Sequence, residues 1–179
     1  MNKDRPQNVL FLCTGNSARS IIAEAILNRD GAPRFKAFSA GSFPAGKVNP
    51  YALDLLTRLG FATAGLRSKS WDEFSSTAAP SFDFIFTLCD DAAGEACPVW
   101  LGRPVTTHWG VPDPAAAEGG DDDKQIAFDA AFRALSSRIQ PFLNLPLESL
   151  SGARLRRRLA DIGRLQEDLQ SEQDDNHVR

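Results

Sequence analysis

Cysteine is scarce in this chain, with three in 179 residues, and an odd number closes no disulfide framework. Cys13, Cys89 and Cys97 are therefore read as thiols with chemistry to do in a reducing compartment. No apolar run is long enough to cross a bilayer, and Met1 to Pro6 lack the hydrophobic region of a secretion signal, so the expected location is cytoplasmic with no membrane role. The net charge of −3 gives no reason to expect a nucleic-acid partner. Histidine is limited to His108 and His177, which with widely spaced thiols argues against a zinc site and leaves no metal expected. No internal repeat is visible. What is present is a near-average apolar content of 42%, enough at this length for one compact domain with a core.

The informative segment lies near the start. Val9-Leu10-Phe11-Leu12 is an apolar strand that stops at Cys13, and a small polar loop, Thr14-Gly15-Asn16-Ser17-Ala18, runs on to Arg19 and Ser20. The run Ser20 to Leu27 reads as a helix whose first amides and positive dipole end point back into the loop. Successive amides there form an anion nest, and the Arg19 guanidinium offers a planar fork to two oxygens. The same field is expected to favour the Cys13 thiolate, which is the nucleophile. Gly15 is expected to supply a positive φ, and Asn16 to tie the loop down through its side chain.

Strands alternate with helices along the rest of the chain, which implies an α/β fold with a parallel sheet. Arg34–Gly41 is a second strand, Phe82–Leu88 a third that delivers Cys89, and Pro104–His108 a fourth. Asn49-Pro50 starts a helix that Gly60 stops, and Ser70 with Glu73 suggests a capping box. Phe128, Phe132, Leu135, Ile139 and Phe142 mark one face of a long helix, capped by the acidic run Asp121 to Asp123. His108, Trp71, Trp100 and Trp109 are read as packing groups. Beyond Pro146 an Arg-rich amphipathic stretch with Leu155, Leu159, Ile162, Leu165 and Leu169 is expected to dock as a helix, followed by a frayed end from Glu172. Residues 1–145 then form a single domain and 146–179 a C-terminal helical extension. In such sheets ligands sit beyond the carboxyl ends of the strands, where Cys13, Cys89 and the loop after His108 all fall.

Through the Cys13 to Arg19 loop, Ser39-Ala40-Gly41 and Asp113-Pro114, the chain resembles the low-molecular-weight protein tyrosine phosphatase fold family, with a four-stranded parallel sheet. Within it the stretch Thr87 to Pro98, carrying Cys89 and Cys97, and His108 to Pro114 look most like the arsenate reductases. Ala115 and Ala116 follow where phosphatases commonly place aromatics. The resemblance implies attack of Cys13 on arsenate, Arg19 clamping the oxyanion, Asp113 as proton donor, and a relay in which Cys89 attacks the adduct and Cys97 carries the disulfide outward. It implies an external thiol reductant, thioredoxin or glutaredoxin with glutathione, and no tightly bound cofactor. Glu24, Ser39 and Asp72, with Asn16, resemble positions that hold a structural alkali cation in some members. The alternatives are a phosphatase and a non-catalytic thiol sensor of oxyanions or redox state.

Overall fold

The computed structural model describes residues 5–94, 100 and 102–165. Among the described residues the strands alternate with helices: β1 (Gln7–Cys13), α1 (Arg19–Asp30), β2 (Phe35–Gly41), α2 (Pro50–Arg58), β3 (Phe84–Thr87), α3 (Asp90–Gly94), β4 (Val105–His108), α4 (Asp121–Leu143) and α5 (Gly152–Arg164), of which α3 was not expected. The strands form one parallel sheet in the order β2-β1-β3-β4. β1 is central, buried nearly throughout, and flanked by β2 on one side and β3 on the other. Its carboxyl end is thus the point where the strand order reverses, and a crevice opens there by topology alone.

Alternation along the strands divides the interior in two. Val9 and Phe11 join Phe84 and Phe86 under residues of α1, α2, α4 and α5 in the larger core. Leu10, Leu12 and Ile85 face the other way, onto a smaller aromatic cluster of Phe38, Phe74, Phe82, Trp71 and Trp100. The Ser70–Glu73 box resolves as a single 3-10 turn, Trp71–Phe74. Ser70 Oγ accepts from the Asp72 amide, but Glu73 pairs with Arg67.

The acidic run opens α4 as expected, with Asp123 accepting the Gly120 amide at 2.9 Å. Phe128, Leu135, Ile139 and Phe142 fill the core, and Pro141 is accommodated in the last turn of this helix. The Arg-rich tail forms α5 and docks on this same domain. Leu155, Leu159 and Ile162 enter the main core, while Trp109, stacked on Phe86 at 3.8 Å between centroids, donates its indole N–H to the Leu159 carbonyl. This bond fastens α5 to the segment that follows β4. Leu169 and the residues from Glu172 on lie outside the described residues.

Candidate active site

The polar loop after β1 is held from outside by its carbonyls. Those of Thr14, Gly15 and Ser17 accept from the amides of Phe43, Ala45 and Asn49 at 2.9–3.0 Å, which turns the loop's N–H groups the other way. Asn16, fully buried, takes the left-handed backbone at φ 41°, so the conformational freedom assigned to Gly15 is used one residue later. Asparagine tolerates that geometry when its side chain is locally bonded. Here Asn16 Nδ2 donates to Ser20 Oγ at 2.8 Å and Ser39 Oγ at 2.9 Å, and its Oδ1 accepts the Lys69 amide at 2.8 Å. The glycine that the loop requires is Gly41, at the end of β2. A Cβ there would collide with the Thr14 carbonyl and reach 3.0 Å from the Asn16 amide. α1 begins at Arg19 behind Ala18, which has no side-chain oxygen to cap the first turn, so its amides remain for an anion.

Cys13 Sγ lies 2.9 Å from Ser20 Oγ at the floor of this loop. Burial pushes its thiol up from the ordinary value, and this outweighs the downward pull of the Ser20 hydroxyl, of the Ser20 and Asn16 amides and of Arg19. The thiolate is therefore supported by its donors but not free of a desolvation cost. A direct consequence concerns Ser20→Ala. Loss of a hydrogen bond to the thiolate raises the thiol further, and Cys13 alkylation and substrate turnover at neutral pH fall about tenfold. The deficit narrows as pH rises, because thiolate then forms without help. A rate ratio to the native protein that stays flat up to alkaline pH would disprove this role for Ser20.

Arg19 reaches from the first position of α1 to the segment after β4, where it bonds the Val111 carbonyl and the Asp113 carboxylate, each at 3.1 Å. Asp113 also caps the 3-10 turn Pro114–Ala116 through the Ala115 amide. Cys89 follows β3 by two residues and packs with Cys13 and Ala92 in a small buried cluster, its sulfur 3.4 Å from Thr14 Oγ1. The Ala92-Ala93-Gly94 segment that follows Cys89 is the end of α3. Cys97 lies outside the described residues. Thus Cys13, Arg19, Asp113 and Cys89 meet at the carboxyl edge of the sheet, together with Thr14 to Ser20. His108, read as packed, is over a third exposed at its side chain and bridges Thr87 and Asp90.

Glu24, Ser39 and Asn16 also converge, and Glu24 bonds Ser39 Oγ directly. Asp72 stands apart in the 3-10 turn, where its backbone N–H serves the Ser70 cap. The space beside Glu24 and Ser39 does not fit an alkali ion, because a residue that sequence reasoning overlooked is already there. Lys69, only 8% exposed, places its ammonium 3.6 Å from Glu24 Oε2, 3.4 Å from Ser39 Oγ and 3.1 Å from the Arg67 carbonyl. Burial pushes the Glu24 carboxyl up and the Lys69 ammonium down, and the charge of each opposes the shift of the other.

The family model for low molecular weight phosphotyrosine protein phosphatase matches residues 8–157. The chain belongs to this family. It also belongs with the family's arsenate reductases: it is 32% identical over 134 residues to the arsenate reductase of Bacillus subtilis (strain 168), covering 75% of this chain and 93% of that protein. The solved structure of an arsenate reductase from Archaeoglobus fulgidus superposes with a TM-score of 0.60 at 28% identity, covering 76% of this chain and 99% of that one. The thioredoxin-dependent arsenate reductase of Corynebacterium glutamicum shares the fold, with a TM-score of 0.53 at 24% identity over 79% of this chain and 65% of that one. The family match runs through Leu155, so the start of α5 belongs to the matched region.

Proposed function

We propose that this chain reduces arsenate to arsenite, in arsenic detoxification, by a thiol relay that starts at Cys13. The observation that carries the reading is a second buried thiol, Cys89, packed against the nucleophile at the oxyanion loop. A phosphatase has no use for it. The loop amides and Arg19 bind the arsenate oxyanion, and the Cys13 thiolate attacks arsenic as an oxygen leaves with a proton from Asp113. Cys89 then attacks Sγ of Cys13. The electron pair of the breaking sulfur–arsenic bond stays on arsenic, which departs as arsenite, and a Cys13–Cys89 disulfide remains. Cys97, eight positions along the chain, exchanges with it, freeing Cys13 and presenting the Cys89–Cys97 disulfide to thioredoxin or to glutaredoxin with glutathione. Catalysis belongs to residues 1–145, with α5 of the 146–179 extension as a buttress, and the thiols suit the reducing cytoplasm.

Arsenite release with a thiol reductant present tests the reaction, and Cys97→Ser tests the relay. That variant is expected to release about one arsenite per chain and stop as a Cys13–Cys89 disulfide. Multiple turnover at the native rate, or a stalled species carrying glutathione and no protein disulfide, would remove Cys97 from the relay. Arsenite production absent from the native protein with every reductant would overturn the function itself.

A further inference from the structure

We infer that the Lys69 ammonium is a built-in cation that ties Glu24, Ser39 and Asn16 together and so sets the shape of the oxyanion loop without an alkali ion. This rests on reading the loop after β1 as an oxyanion site. A carboxylate, a serine hydroxyl and a backbone carbonyl surround the ammonium, the hard oxygen donors an alkali ion would take. The cation is covalently part of the chain, so its occupancy does not depend on the medium.

The connection from this charge to the reacting sulfur is short. Ser39 Oγ is shared between Lys69, Glu24 and Asn16 Nδ2. Asn16 Nδ2 also reaches Ser20 Oγ, which bonds Cys13 Sγ. The backbone of Lys69 acts at the same place, its amide donating to Asn16 Oδ1 and its carbonyl accepting from Gly41 N–H at 2.9 Å. Its neighbour Ser68 donates to the Gly15 carbonyl at 3.2 Å. Asn16 is the residue in the left-handed backbone, so fixing its side chain fixes the turn that aims the amides. Without the ammonium, the buried Glu24 carboxylate would keep only the weaker pull of Arg67, which is itself paired with Glu73, and the cluster would have to open, take in another cation or take up a proton. Lys69 is on this view a positioning residue that never touches the substrate.

The test compares the native full chain with Lys69→Met and Lys69→Arg. The probe is inorganic phosphate, followed by titration calorimetry at constant ionic strength in tetramethylammonium, sodium or potassium chloride, with arsenate kcat/KM measured in parallel. Native binding should be indifferent to the cation. Lys69→Met should bind phosphate about tenfold more weakly in tetramethylammonium and regain most of that affinity in sodium or potassium, as a small ion enters among the vacated oxygens. Lys69→Arg should keep near-native binding in all three. The inference fails if native binding strengthens severalfold with potassium, a result that needs no variant to fold. It fails also if folded Lys69→Met binds as tightly as native in tetramethylammonium, or stays weak in every salt. Native protein that binds no phosphate in any salt would remove the oxyanion site itself; cation-dependent binding with the site intact would remove only the role of Lys69.

Discussion

Cys13→Ser is expected to fold, to bind oxyanions weakly, and to release no arsenite, a loss on the order of 10⁴-fold or more in turnover. Two separate deficits produce it. A serine hydroxyl stays protonated where even a buried thiol can ionise, so nucleophilic attack is lost. A serine–arsenate ester, if one formed, would still contain no sulfur to oxidise, and the two electrons that convert arsenate to arsenite would have no source. The fold survives because the change is nearly isosteric, and the hydroxyl inherits the Ser20 partner now 2.9 Å from the sulfur. A buried polar group that keeps its hydrogen bond costs little. Arsenite quantified by chromatography, beside thermal melting and phosphate titration on the same samples, checks all three statements. Turnover near the native rate would remove Cys13 as nucleophile, whereas loss of both melting transition and binding would show only that the position is intolerant.

The loop that makes this prediction possible was legible in sequence because its information is local. An apolar strand, a thiol, small polar residues and an arginine occur within a dozen positions, and strand-to-helix geometry follows from that order. Cys89 was legible for the same reason: the apolar run before it is a strand, and parallel strands end on one edge. The features that escaped are set by contacts between distant parts of the chain. Lys69 meets Asn16 across 53 positions, and nothing in Arg67-Ser68-Lys69-Ser70 distinguishes a buried ammonium from a solvated one. Gly15 looked like the obligatory glycine, yet the backbone constraint falls on Asn16 and the close approach on Gly41, because β2 pairs with β1 up to Cys13 itself. The expected ease of forming the Cys13 thiolate likewise considered only the positive field, whereas the surrounding core adds the opposing desolvation.

The arrangement also separates two reactions that share their first step. Cys89→Ser is expected to lose arsenite release by a factor on the order of 10³ or more, while hydrolysis of an aryl phosphate stays within about threefold of native. Phosphate and arsenate share shape and charge, so the loop amides and Arg19 accept both and Cys13 attacks either. A phosphoryl-cysteine needs only water to finish, and the groups that serve it, Arg19 and Asp113, pair with each other, whereas the Cys89 sulfur faces Thr14. The arsenate adduct instead requires a thiol to attack Sγ of Cys13, and the serine hydroxyl that replaces the Cys89 thiol in this variant cannot form the disulfide. The substitution costs little packing, since the sulfur already faces Thr14 Oγ1, an available hydrogen-bond partner. Steady-state assays of both reactions on one preparation, with melting as control, decide the matter. Equal loss of both with the fold intact would show that Cys89 supports the loop rather than the electron transfer, and retention of both would hand the attack on the adduct to another thiol.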